Sequence, residues 1–97
     1  MTAQVIAIDD IKTDAIGRAI VCAMRRYSGG WIDYDALLTS ARKYLDSDEP
    51  KKAKAIDDTE FKTKAGNVLS ALESHWYAGR QGRLYMWLMP ETETNRI

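Results

Sequence analysis

The longest regular apolar pattern in the chain is Phe61, Ala65, Val68, Leu69, Leu72 and Trp76, spaced i, i+4, i+7, i+8, i+11 and i+15. That spacing returns to one side of a 3.6-residue helix at every turn, so it predicts a helix with a single buried stripe. Asp57 or Asp58 starts it, and Asp57 with Glu60 has the spacing of a capping box, whose cap is more usually Ser or Thr. Ile16, Ile20, Met24 and Tyr27 form an earlier stripe. They predict a first helix that begins at Asp10 or Thr13, either of which can cap it, and ends at Tyr27. Arg25 and Arg26 suit its last turn, and Ser28-Gly29-Gly30 supplies a stop. Leu37, Leu38, Ala41, Tyr44 and Leu45 predict a second helix over about 34–45. Asp33 is its N-cap, Asp35 lies in its first turn and Arg42 and Lys43 in its last. Trp31-Ile32 between the two is a very short extended piece.

After Trp76 the period changes to two. Segments 76–80 and 83–89, separated by Gln81-Gly82, predict a β-hairpin in which Gly82 provides the positive φ of a tight turn. Pro90 ends the second strand. Residues 1–10 read as an arm, with Val5, Ile6 and Ile8 extended or forming a short edge strand. Residues 91–97 read as a flexible polar tail. Residues 46–58 are charged, contain Pro50 and break the pattern. They read as an exposed insertion within a folded unit spanning 11–90, although Lys51–Ala55 could form one helical turn.

A chain of 97 residues suffices for one domain, and three Trp with five Tyr give it large side chains to bury. Its 14 basic and 14 acidic residues cancel, so it is not a general polyanion binder. Any nucleic-acid site must come from local asymmetry. Segment 51–84 carries Lys51, Lys52, Lys54, Lys62, Lys64, Arg80 and Arg83 against Asp57, Asp58, Glu60 and Glu73. Cys22 is the single cysteine, lies in an apolar run and reads as a small buried hydrophobe. No signal peptide and no apolar run of membrane-spanning length is present in this sequence, so a cytoplasmic location is expected.

The order of helix, short strand, helix, helix and hairpin resembles the winged helix-turn-helix superfamily over roughly 11–90. Gly30-Trp31-Ile32-Asp33-Tyr34-Asp35-Ala36-Leu37 looks like the family's short strand and capped entry into its second helix. Ala65-Gly66-Asn67-Val68-Leu69-Ser70-Ala71-Leu72-Glu73 and the hairpin after it look like a recognition helix running into a wing. The resemblance implies an α+β fold, with three helices closed by a C-terminal hairpin wing. The family joins its second and third helices by a tight turn, where this chain has 46–58.

With the apolar stripe of the third helix facing inward, Thr63, Asn67, Ser70 and Ser74 face outward, flanked by Lys62 and Lys64. Asn can bond an adenine edge in bidentate fashion, Ser and Thr can bond several bases, and Lys meets phosphate. Gly66 weakens a helix by about 1 kcal/mol and either permits close approach of a backbone or is simply tolerated. Arg80, Gln81 and Arg83 at the hairpin tip could clamp phosphates or enter a minor groove, or could merely keep the tip soluble. Lys51, Lys52 and Lys54 could contact the DNA backbone or stand solvated. These residues point to double-stranded DNA as partner, read by a homodimer on two half-sites, in transcription or replication control.

The second hairpin strand carries a different signal. Leu84, Met86 and Leu88 alternate with Tyr85, Trp87 and Met89, so both of its faces are apolar, and one needs a cover beyond an ordinary wing. Tyr77, Tyr85, Trp87 and Met89 are the candidate protein interface. A protein-binding module is therefore the rival reading, as an assembly subunit or a phage- or plasmid-encoded inhibitor of a host complex. The only histidine, His75, has no metal-ligand companions. No nucleophile elbow and no Gly-rich phosphate loop occurs, and the carboxylate pairs sit at helix starts. Neither an enzyme nor a cofactor, metal or small-molecule substrate is expected.

Overall fold

The computed structural model describes residues 8–27 and 30–88. The expectations for positions 1–7, for Ser28-Gly29, and for Met89, Pro90 and the tail lie outside the described residues. Where an arm was expected, Ile8 to Asp10 instead open a short helix, α1 (Ile8–Thr13), which precedes α2 (Ala15–Arg26). The cap is neither Asp10 nor Thr13. Asp14 holds an extended backbone, and its carboxylate accepts the Gly17 N–H at 2.9 Å. Thr13 is engaged within α1, its hydroxyl donating to the Asp10 carbonyl at 3.1 Å. A Cβ at Gly17 would run into the Ile11 carbonyl, so glycine lets the chain fold back closely there. Ile16, Ile20 and Met24 are buried as the spacing predicts. Tyr27 is exposed, because α2 ends at Arg26 and Tyr27 has left the helical conformation.

Strand β1 (Ile32–Asp33) leads into α3 (Tyr34–Asp48), capped by Asp33, whose carboxylate accepts the Asp35 N–H at 3.0 Å. Leu37, Leu38, Ala41 and Leu45 are buried along it. The helix runs on to Asp48, which places Arg42 and Lys43 inside it and away from the last turn. The expected exposed insertion at 46–58 is largely helical. Its first residues complete α3, and α4 (Pro50–Ala55) follows with proline at its start, where a missing N–H costs nothing.

Composition hid the two anchors of this segment, Ala53 in the core and Ile56 packed partly against it. Arg42 of α3 ties down the end of α4. Its Nη2 donates to the carbonyls of Ala53 at 2.9 Å and Ile56 at 3.2 Å, and its Nε lies 3.4 Å from Asp46. The same guanidinium lies over the Phe61 ring, 5.4 Å from its centre. At the α3–α4 junction, Glu49 binds Arg18 of α2 at 2.7 Å and Lys52 at 3.2 Å. The Arg18 hydrogen bond, with Lys52 second, holds the Glu49 carboxyl below the usual carboxylate range.

Helix α5 (Asp58–Ser74) is capped by Asp57, whose carboxylate accepts the Glu60 N–H at 2.7 Å. Phe61, Ala65, Val68, Leu69 and Leu72 are buried, but the stripe stops short of Trp76. There the Tyr77 N–H donates to the Leu72 carbonyl at 2.9 Å and the Trp76 N–H to that of Glu73 at 3.1 Å. This is a Schellman stop, and Trp76 holds its left-handed position with φ 65°.

Strands β2 (Ala78–Gln81) and β3 (Leu84–Trp87) form the hairpin, and the antiparallel sheet has the order β1-β3-β2. Gln81 pairs with Leu84, so the two turn residues are Gly82 and Arg83, one position later than expected. Gly82 has φ 62° and Arg83 does not share the positive sign, the pattern of a turn that wants glycine first. Helices α2, α3 and α5 and the inner face of the sheet share one core, which includes Met24, Ile32, Phe61, Leu72 and Trp87. The fold is α+β, helices followed by a hairpin in a three-stranded sheet, and is consistent with a winged helix. Among the described residues, no helix is long and apolar enough to cross a membrane.

Arg42→Ala is expected to lower stability by about 2 kcal/mol, since it removes two charge-assisted hydrogen bonds to partly buried carbonyls and the cover on Phe61. Arg42→Lys should recover only part of that loss, because one ammonium nitrogen cannot serve the carbonyls and Asp46 together and has no planar face to lay over Phe61. Urea denaturation of the three proteins checks the order.

Candidate nucleic-acid interface

The stripe that buries α5 decides which of its side chains face out. Lys62, Thr63, Lys64, Asn67, Ser70 and Ser74 are all exposed. Thr63, Gly66 and Ser70 follow one another at i, i+3 and i+7, so the outward surface is small, polar and uncharged. A Cβ at Gly66 would meet nothing within 4 Å. No close contact inside the protein therefore calls for glycine there.

Lys62 pairs with Asp58 one turn earlier at 3.3 Å, both largely exposed, a geometry worth a few tenths of a kcal/mol. Lys64 and Asn67 border a cleft of about 200 Å³ where α1 leans on α5, with Asp10 and Asp14 on its other side. That edge of α5 therefore carries both charge signs.

At the wing the two arginines are drawn back onto the body. Arg80 Nε lies 3.2 Å from Glu73 at the end of α5. Arg83 donates through Nη2 to Asp35 at 2.8 Å, lies 3.9 Å from Asp33, and sits over the Tyr34 ring at 5.5 Å. Exposed pairs of this kind contribute about 0–1 kcal/mol and yield to a stronger anion. Gln81 is exposed beside them. Lys51, Lys52 and Lys54 are exposed on α4, which delivers the chain to the N-terminal end of α5.

Lys43 is a basic residue that the sequence reading did not place at the site. It shares a cleft of about 410 Å³ between α3 and α5 with Asp35, Arg42, Asp58 and Lys62. A helix ending near residue 45 would make Lys43 a last-turn cation, but α3 runs on to Asp48. The position of Lys43 beside Lys62 depends on the packing of the two helices.

The candidate protein interface is corrected. Trp87 is only 4% exposed and belongs to the core, with the Tyr77 ring edge-on to it at 6.1 Å. Tyr77 and Tyr85 are packed partly against the core, and Met89 lies outside the described residues. Burial raises the Tyr85 phenol above its ordinary pKa. The strand does have two apolar faces, but the reverse of those expected. Ala78 opposes Trp87, and this small–large pair fits against the helices while Leu84 and Leu88 stay exposed. Alternation alone gives two faces and cannot say which is inner.

Cys22 is half-buried, not fully buried as expected. Among the described residues, no group of three or more His, Cys, Asp or Glu could hold a metal ion. Comparison with protein-family models, curated proteins and solved structures finds no match.

The corrected faces make a direct test. Trp87→Ala should cost about 3–5 kcal/mol in urea denaturation, the range for emptying a large aromatic site in a core. Leu88→Lys in the same assay should stay within about 0.5 kcal/mol of wild type.

Proposed function

We propose that the chain is a small winged-helix DNA-binding regulator of transcription or replication control, reading double-stranded DNA with α5 in a major groove. The observation that carries this reading is the outward surface of α5. Thr63, Asn67 and Ser70 present hydrogen-bonding groups without charge, Lys62 and Lys64 flank them, and Gly66 between them lies against open space. A mid-helix glycine with no neighbour to accommodate suits the approach of another backbone. Uncharged donors and acceptors suit base edges, and flanking cations suit phosphates.

In this arrangement Lys51, Lys52 and Lys54 of α4 meet the DNA backbone beside the N-terminal end of α5. Arg80, Gln81 and Arg83 carry the wing to the flanking strand. The arginines exchange their carboxylate partners for phosphate. The proposal places the protein in the cytoplasm and gives it no catalytic role, no cofactor and no small-molecule substrate.

A second reading has its own support. The outer face of the sheet exposes apolar side chains, which favours a protein-interaction module, whether an assembly subunit or a phage- or plasmid-encoded inhibitor of a host complex.

Fluorescence anisotropy with a mixed-sequence duplex across a salt series separates the two. The DNA reading predicts micromolar or tighter binding at low salt, with a log–log slope of about −0.9 for each phosphate contacted. Replacing Lys62, Asn67 and Arg83 together by alanine should weaken binding at least about tenfold. Asp35→Asn should strengthen it severalfold, because it removes the carboxylate that competes for Arg83. Absence of binding at low salt, or an unchanged affinity in the triple variant, would sink the DNA reading.

A further inference from the structure

Between α3 and α5 lies an open cleft of about 410 Å³. It has room because residues 46–58, and not a tight turn, carry the chain from one helix to the other. Leu38 and Phe61, both buried, form its floor, and the Arg42 guanidinium lies over the Phe61 ring. Thr39 and Lys43 stand one turn apart on α3 at its rim, and Lys62 of α5 joins them there, all three exposed.

Three cations line this cleft, Arg42, Lys43 and Lys62, against two carboxylates, Asp35 and Asp58. Both carboxylates are already engaged, Asp35 with Arg83 at 2.8 Å and Asp58 with Lys62 at 3.3 Å. Lys43 has no ion pair among the described residues. Arg42 uses Nη2 on two carbonyls and Nε on Asp46, but its Nη1 is buried and meets no acceptor among the described residues. A buried donor without an acceptor leaves that cation incompletely satisfied. Covered as it is, Nη1 touches no occupant, but it leaves positive potential in a floor of low dielectric.

The opposite edge of α5 has the other balance. Lys62 and Lys64 are two residues apart, so about 200° separates them round the helix. Lys64 shares the smaller cleft against α1 with Asp10 and Asp14, one cation with two carboxylates. An anion that approaches α5 is therefore drawn to the α3 side.

We propose that the cleft between α3 and α5 seats a phosphate group, held by the ammonium groups of Lys43 and Lys62 and the hydroxyl of Thr39. Lys62 belongs both to this rim and to the flank of the outward surface of α5, so a duplex read by α5 passes one backbone over the cleft. The inference deepens the DNA reading, on which the source of the phosphate rests, by naming the side of α5 on which the backbone is gripped. Asp58 gives up Lys62 to the phosphate, as an exposed pair does to a stronger anion. Ammonium groups and a hydroxyl bind phosphate oxygens whatever the base beside them, so the seat positions the duplex and leaves its sequence to α5.

Two titrations of the full chain test the seat, each with wild type and Lys43→Gln, an exposed substitution expected to leave the circular dichroism spectrum unchanged. In a salt series with duplex DNA, Lys43→Gln should bind severalfold more weakly at low salt, with a log–log slope smaller in magnitude by about 0.9, the loss of one phosphate contact. In amide chemical-shift spectra with inorganic phosphate at constant ionic strength, wild type should show saturating shifts at Thr39, Lys43 and Lys62 that Lys43→Gln lacks. Where the duplex binds, the slope decides. An unchanged slope and affinity in Lys43→Gln would overturn the seat and leave the reading of α5 standing. Where no duplex binds, the phosphate shifts decide. Their presence would sink the reading of α5 and keep the cleft as a seat for free phosphate, and their absence would overturn both.

Discussion

The Arg42 guanidinium holds the position of α5, and with it everything this protein presents on that side. A single planar cation closes α4 by donating to the carbonyls of Ala53 and Ile56, faces Asp46 on its own helix, and covers Phe61 at the start of α5. Short helices such as α4 are marginal without tertiary support, since few internal hydrogen bonds offset the cost of ordering them. Arg42 supplies that support with charge-assisted bonds, and Ala53 supplies a small apolar anchor. The guanidinium reaches these carbonyls through Nη2 and Asp46 through Nε while its plane lies over Phe61, a combination that the single nitrogen of lysine cannot match.

The outward surface of α5 follows from that placement. Once Phe61 is covered and Leu69 and Leu72 are buried, the helix has one orientation, and Thr63, Asn67 and Ser70 have no alternative to solvent or a partner. The charged residues around it are held in check by neighbours of opposite sign. Arg83 lies against Asp33 and Asp35, Arg80 against Glu73, and Lys62 against Asp58. Exposed, weak ion pairs offset these cations locally in the free protein and still leave them to an anion that binds more strongly. This reconciles a zero net charge with the proposed DNA contact.

Much of the fold was legible because burial imposes periodicity. The stripes of α2, α3 and α5, the Asp33 and Asp57 caps and the glycine turn each follow from residue type and spacing. The misses share one cause, a local pattern decided by a distant partner. Residues 46–58 looked like a linker because Arg42, which organises them, lies outside the segment. Asp14 displaced the expected caps because Gly17 allows a fold-back onto Ile11 that no helical pattern encodes. Trp76 continued the α5 stripe on paper, but the chain had already turned at His75. For β3, alternation gave two apolar faces, and only the pairing of Ala78 with Trp87 chose the inner one. The polar side chains of α5 were found because the buried stripe fixes the opposite face. Lys43 was missed because its place depends on how α3 lies against α5.

The most direct test of α5 as the reading surface is an amide chemical-shift map of the isotope-labelled protein titrated with duplex DNA. The account predicts the largest shifts along 59–70 of α5, with a second group at Gly82 and Arg83, and little change at Leu84 or Leu88 on the outer sheet. Shifts confined to the outer face of the sheet, or none at saturating duplex, would contradict it.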